Sequence, residues 1–93
     1  MPYLHLILRA IKPESNLYRV YEIWLDKGLL GSWIVLTAYG RFECGTTQKN
    51  HSFSTLEDAK DFIDKTLIKR LSSEKRIGCN YELISKRFSS NFM

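Results

Sequence analysis

The segment Trp33-Ile34-Val35-Leu36-Thr37-Ala38-Tyr39-Gly40-Arg41 holds the most apolar run of this chain and closes it with an aromatic, a glycine and an arginine. Such a run predicts a buried strand that ends where the glycine lets the backbone bend or approach another molecule. The ring of Tyr39 can stack, and the guanidinium of Arg41 can bind a phosphate or carboxylate through a fork of two hydrogen bonds. Tyr39, Gly40 and Arg41 are therefore candidate binding residues, although an ordinary strand end also explains them.

Alternating apolar and polar residues predict further strands on both sides of this segment. In the first, Leu4, Leu6, Leu8 and Ala10 share one face, with His5, Ile7 and Arg9 on the other. Pro13 to Asn16 has the composition of a turn. The predicted strands are 3–12, 18–26, 32–41, 47–53 and 81–84.

The hydrophobic period changes after residue 53, from two to between three and four. Ser54-Thr55-Leu56-Glu57 has a capping-box pattern, and an apolar stripe predicts a helix over about 55–73. The stripe consists of Leu56, Ala59, Ile63, Leu67 and Leu71. The helix has acidic residues in its first half and basic residues in its second, an order that complements the helix dipole. The basic cluster over 65–76 consists of Lys65, Lys69, Arg70, Lys75 and Arg76.

These patterns predict an α+β fold, an antiparallel β-sheet of four to five strands with one long amphipathic helix packed across one face. The 93 residues are enough for a single domain. We expect its core to span about 3–84 and residues 85–93 to form a flexible tail.

The composition of the chain indicates which partners and which cellular location to expect. The net charge of +4 is a moderate basic bias, which is compatible with a polyanionic partner. No apolar run approaches the roughly 20 residues of a membrane span, so we expect no membrane association. His5 and Arg9 interrupt the first apolar segment, and no secretory cleavage pattern follows it. We therefore expect a cytoplasmic protein.

Few residues of the sequence are candidates for metal binding or catalysis. Cys44 and Cys79 lack the spacing of a zinc site or a disulfide framework, so we expect reduced cysteines and no metal. Cys44 and His51 are the only nucleophile and base near each other in sequence, and no third member orients them. We expect no catalytic residues and no cofactor.

The order and spacing of these elements resemble the WGR domain, which is found in poly(ADP-ribose) polymerases and in many bacterial proteins. The resemblance covers about Tyr18 to Leu83. It is carried by Tyr18-Arg19-Val20-Tyr21-Glu22-Ile23-Trp24-Leu25, Trp33-Ile34-Val35, Tyr39-Gly40-Arg41, Gly45, Gln48, Phe53-Ser54, Ala59, Phe62, Ile63, Lys69, Gly78 and Tyr81. The chain has Tyr39 where family members usually have tryptophan, and Glu43 where they usually have glycine.

The resemblance implies a nucleic-acid-associated module without chemistry of its own. In the polymerases this domain contacts DNA near a strand end and relays that contact to a catalytic domain. By position, Tyr39 would stack on a terminal sugar or base, and Arg41 would bind a phosphate. We therefore predict weak, sequence-nonspecific binding to DNA ends or single strands. The predicted binding residues are Tyr39, Gly40, Arg41, Lys49, Lys69, Arg70, Lys75 and Arg76.

A second hypothesis is a protein-interaction or regulatory domain that serves a partner enzyme. The altered loop and the absence of an attached enzyme motivate it, and Phe88 and Phe92 are candidates for such a surface. The chain is expected to be a monomer or a homodimer. Residues 3–12, as an exposed edge strand, would be one place for a second copy to pair.

Overall fold

The computed structural model describes residues 3–28, 30–41, 45–72 and 80–88. Its strands form one antiparallel sheet in the order β4-β3-β2-β1-β5, and a single helix among the described residues packs against it. The elements are β1 (Leu4–Lys12), a 3-10 turn (Pro13–Ser15), β2 (Leu17–Lys27), β3 (Trp33–Arg41), β4 (Thr47–Phe53), α1 (Leu56–Leu71) and β5 (Glu82–Phe88). The predicted α+β architecture is confirmed.

The 3-10 turn joins β1 and β2 tightly. Pro13 begins the turn, and Asn16 ends it in the left-handed conformation with φ of 52°. Asparagine tolerates that conformation better than most residues. The turn sets the register of the hairpin, from Lys12 opposite Leu17 to Leu4 opposite Leu25.

The core lies between α1 and one face of the sheet, called here the covered face. Alternation along the strands brings Leu8, Ile23 and Val35 onto this face, where each is at most 1% exposed. Ala59 and Ile63 of α1 are buried against them, and Leu56 and Leu67 pack at the border of the cluster. The predicted helix stripe is thus confirmed over these four residues. Leu71 is 43% exposed and lies outside the core.

The helix begins one residue later than the capping-box pattern indicates. Thr55, rather than Ser54, is the N-cap, and its Oγ1 accepts a hydrogen bond of 3.1 Å from the backbone N–H of Asp58. The helix ends at Leu71, with Ser72 as the C-cap. The acidic residues in the first turn of the helix and the basic residues in its last turn interact favourably with the helix dipole.

The sheet order corrects the prediction that residues 3–12 form an exposed edge. β1 lies between β2 and β5, and both of its sides are paired, so β4 and β5 are the edges. The last strand also continues beyond the predicted end at Ile84. Residues 85–88 pair with β1 rather than joining a tail, while residues 89–93 lie outside the described part of the chain.

None of the helical segments that the structure describes is long and apolar enough to cross a membrane.

Candidate nucleic-acid interface

The end of the sheet that carries the 3-10 turn is rich in basic residues. Lys12 and Arg19 lie on β1 and β2 beside the turn, and Arg41 is opposite Arg19 on β3. Lys49 follows on β4, one alternation from the strand end, and Arg70 lies above the sheet in the last turn of α1. We call this set, Lys12, Arg19, Arg41, Lys49 and Arg70, the basic end.

Period-two alternation explains why the strand residues of this set share one face. The register pairs Ala10 with Arg19 and Arg19 with Arg41, so both arginines lie on the covered face. Arg19, Arg41 and Lys49 are all exposed. The acidic residues described near this end are Glu14, in the turn, and Glu82, which pairs with Arg9 on the opposite face.

Arg41 is held by the turn that precedes β2. Its guanidinium donates hydrogen bonds to the backbone oxygen of Asn16 at 3.3 Å and to Asn16 Oδ1 at 3.0 Å. It also lies 5.7 Å from the centroid of the Tyr18 ring. A guanidinium has five N–H donors, so these two bonds orient the group and leave others for an anion.

Tyr39 is part of a packed row of tyrosines. Its ring is stacked on Tyr21 at 5.9 Å, and Tyr21 meets Tyr81 edge-on at 6.2 Å. The Nζ of Lys49 lies 5.7 Å from the Tyr39 ring centroid. Tyr39 is therefore partly buried beside the core, unlike a ring that stands alone on a surface.

Arg70 of α1 packs against this row of tyrosines. Its guanidinium lies 4.2 Å from the Tyr21 ring centroid and 6.0 Å from that of Tyr81. Its backbone oxygen accepts a hydrogen bond of 3.1 Å from the N–H of Tyr81. A cation over aromatic faces is attracted by their quadrupoles, so Arg70 ties the end of α1 to the start of β5.

Gly40 is required by the chain that returns from β3 to β4. A Cβ at this position would lie 2.5 Å from the backbone oxygen of Gly45 and 3.2 Å from Thr46 Cα. Any other residue would force the backbone of that segment to shift. Its role is thus close approach between two parts of this chain.

The structure brings together some of the predicted binding residues and separates others. Tyr39, Gly40, Arg41, Lys49 and Arg70 meet at the basic end. Lys69 instead lines an open groove of about 610 Å³ beside β4, with Lys65, Phe53 and Phe62. Lys75 and Arg76, like Glu43, lie outside the described residues.

Sequence patterns do not single out Lys12, Arg19 or Asn16 as residues of this site. Arg19 is exposed beside Arg41 only because of the register between β2 and β3, which alternation alone does not fix. Asn16 is predictable as a turn residue, but its contact with Arg41 spans 25 positions of the sequence.

The described residues contain no group of three or more His, Cys, Asp or Glu side chains that could hold a metal ion. Both cysteines lie outside the described residues, so the pairing of Cys44 with His51 stays a sequence-level consideration.

Comparison with known proteins adds no assignment. No protein-family model matches the chain, and neither the curated proteins nor the solved structures that were searched contain a match.

Proposed function

We propose that this chain is a non-catalytic, WGR-like module that binds nucleic acid weakly and without sequence specificity, at DNA ends or single strands. The supporting observation is the basic end, where five cationic side chains from four strands and the helix lie at one end of the sheet. The proposal places the module in the cytoplasm and assigns it no cofactor.

Phosphate groups would bind mainly to Arg41 and Arg19. The two guanidinium-bearing residues face each other across β2 and β3, and both are exposed. Arg41 is already oriented by Asn16, so less side-chain freedom is lost when it binds. Lys49 would add a point charge to the same anion path.

Sequence specificity is not expected from this arrangement. The acidic first turn of α1 carries Glu57 and Asp58, and it lies at the opposite end of the helix from Arg70. No helix therefore presents a basic N-terminal half to a DNA groove among the described residues. Contacts to phosphate neutralise charge and fix orientation, but they do not read bases.

The test is a fluorescence-polarisation titration with end-labelled single-stranded DNA and blunt duplex at about 50 mM salt. Binding should weaken steeply with salt, with a log–log slope of about −0.7 to −0.9 per phosphate contact. The double variant Arg19→Ala/Arg41→Ala should lose about tenfold or more in affinity, since each lost contact costs on the order of 1 kcal/mol. Tyr39→Leu removes the ring but keeps an apolar side chain against the core, and it tests the contribution of the ring.

The matched control is Lys60→Ala/Lys65→Ala, which removes the same charge from the exposed side of α1. Equal loss in both double variants would show that only net charge matters, and the basic end would then not be a site. A linear duplex should also bind more tightly than a closed circle of the same sequence, because the circle has no ends.

A second candidate function, a protein-interaction module, is favoured by one observation. The face of the sheet away from α1 carries a band of partly buried apolar side chains. This surface is separate from the basic end and can be tested independently of it.

A further inference from the structure

The described strands leave two edges of the sheet, β4 and β5, and β4 is the regular one. All residues of β4, from Thr47 to Phe53, pair with β3 in an unbroken register. The register of β5 with β1 instead shifts beside Ile7. An irregular edge pairs poorly with another chain, whereas a regular edge offers the N–H and C=O of every second residue to a further strand. A strand from outside would therefore join the sheet at β4.

The sequence of β4 also does little to protect this edge. The strand Thr47-Gln48-Lys49-Asn50-His51-Ser52-Phe53 contains no proline, and Lys49 is its single formally charged residue. Prolines and several charges are the usual means by which an edge avoids pairing. By contrast, β5 carries Glu82, Lys86 and Arg87.

A groove of about 610 Å³ runs along β4 on the covered face, and α1 forms its other wall. The Phe62 ring of α1 packs edge-on against His51 at 4.5 Å and lies 5.4 Å from the Phe53 ring. The helix wall consists of two half-buried residues, Phe62 and Thr66, and four exposed charged residues, Asp58, Asp61, Lys65 and Lys69. We call this set the groove wall.

The helix α1 runs antiparallel to β4. The chain reverses at Ser54 and Thr55, so the helix begins beside the end of β4. In the last turn of the helix, Arg70 lies over Tyr21, whose cross-strand row ends at Thr47, the first residue of β4. The groove wall therefore follows the strand edge along its length.

The charges of the groove wall are divided at the middle of the helix. Asp58 and Asp61 precede the middle of α1, and Lys65 and Lys69 follow it. A second copy of the helix, packed antiparallel against this wall, would bring its Lys69 beside Asp58 and its Lys65 beside Asp61, and the reverse pairs would form by symmetry. A parallel copy would instead place like charges together, which is unfavourable.

The existing ion pair of the groove wall is compatible with this arrangement. Lys65 Nζ lies 3.1 Å from Asp61 Oδ2, and both side chains are largely exposed. An ammonium group has three donors and a carboxylate has two acceptor oxygens, so the pair can be extended into a network across an interface.

Pairing of β4 with β4 of a second copy produces this antiparallel packing of the helices. A two-fold axis between two edge strands is perpendicular to the sheet, so the strands are antiparallel and both helices lie on the same face. Neighbouring strands are about 4.8 Å apart and α1 packs on β3 and β4, so the two helix axes would be roughly 10–15 Å apart. Long charged side chains span that separation.

From these observations we infer that this chain forms a symmetric dimer through β4, in which the two sheets become one and α1 of the second copy packs against the groove wall. A different protein would need both a free strand edge and a matching order of charges, whereas a second copy carries both. The inference goes beyond the proposed nucleic-acid binding and does not depend on it.

The first experiment is sedimentation equilibrium of the full chain without DNA. The concentrations range from about 5 to 500 µM, and we expect a monomer–dimer equilibrium with a Kd on the order of 10–100 µM, because a strand edge and one helix face make a small interface. The salt concentration is kept at about 50 mM, where exposed charges are only moderately screened.

Two charge-reversal variants test the groove wall. Asp58→Lys/Asp61→Lys and Lys65→Glu/Lys69→Glu should each weaken self-association at least about tenfold, because each gives a wall of one sign. The two variants change the net charge in opposite directions, so a loss in both is not an effect of net charge. An equimolar mixture should form a heterodimer at least as tight as the wild-type dimer, which also shows that both variants are folded.

The matched control is Glu57→Lys/Asp64→Lys. It changes the net charge by the same amount as Asp58→Lys/Asp61→Lys and also removes one acidic residue from the first turn of α1. Both positions are exposed and lie outside the groove wall. The Kd of the control should stay within about threefold of the wild-type value.

Amide hydrogen exchange followed by NMR locates the strand contact. The amides of β4 that point away from β3 should exchange about tenfold more slowly at the highest protein concentration than at the lowest, because the second strand accepts their hydrogen bonds. The outward amides of β5 should exchange at the same rate at both concentrations, and they serve as the control within the same molecule.

The inference is overturned if the wild-type chain sediments as a monomer over the whole range. It is also overturned if the control variant loses as much affinity as the groove-wall variants, or if the mixture of the two groove-wall variants does not associate. A dimer in which the amides of β5 rather than β4 become protected would place the contact at the other edge and would overturn it as well.

Discussion

Both faces of this sheet carry apolar side chains, but within the described residues only the covered face has a second layer. The face away from α1 is called here the open face. On the covered face, Ile23 and Leu25 are 0% exposed beneath α1, while Trp24 and Leu36 on the open face are only partly buried. The same strands therefore contribute fully buried side chains to the core on one face and partly exposed apolar side chains on the other. The difference shows that the apolar content of a strand does not reveal which of its faces stabilises the fold.

The largest expected effect tests this comparison directly. Ile23→Ala should lower the free energy of unfolding by about 3 kcal/mol, because it leaves a cavity under the helix. Leu36→Ala, on the open face, should cost about 1 kcal/mol, since its side chain is already in partial contact with water. Urea denaturation followed by circular dichroism measures both. Similar losses would mean that the open face is as fully packed as the covered one.

A substitution at Gly40 tests the close approach of this residue to Gly45 and Thr46. Gly40→Ala should cost about 2 kcal/mol, because the new Cβ would meet backbone atoms of Gly45 and Thr46 rather than a movable side chain. Gly31→Ala is not a suitable control because its φ is +85°, so Ser52→Ala at an exposed site of β4 serves instead. A loss at Gly40 no greater than that of the control in urea denaturation would contradict the crowding.

Arg70 tests how the end of α1 is fixed over the covered face. Arg70→Ala should cost about 1–2 kcal/mol, because it removes a cation from the Tyr21 and Tyr81 rings and uncovers their packing. Arg70→Lys should recover part of this loss. Lys65→Ala, an exposed helix position paired with Asp61 at 3.1 Å, should change stability by less than about 0.5 kcal/mol. The order of these three variants by thermal denaturation is the decisive result.

The smallest expected effect concerns the N-terminus of α1, the helix that packs on the covered face. Thr55→Ala should cost about 1 kcal/mol, because the N–H of Asp58 loses its acceptor. Ser54→Ala should have little effect, since Thr55 rather than Ser54 is the N-cap. Reversed sensitivities of the two positions in urea denaturation would restore the capping-box assignment.

The candidate site was only partly predictable from the sequence. Tyr39, Gly40 and Arg41 could be recognised as a strand end because the apolar run stops there. Arg19 could not be placed beside them, because its position depends on strand register. Lys69 and Arg70 are neighbours in sequence, yet one lines the groove beside β4 and the other lies over Tyr21, since successive helix positions point about 100° apart.

By itself, the sequence determined the strands, the helix and the side chains that form each face, because periods of two and 3.6 are local properties of the backbone. It also determined the charge order along α1. Only the tertiary structure decided that β1 is an inner strand, that β5 reaches Phe88, and that the helix covers one face and leaves Trp24 and Leu36 on the other. Those outcomes depend on pairing and packing between distant segments, whose free energies no local pattern contains.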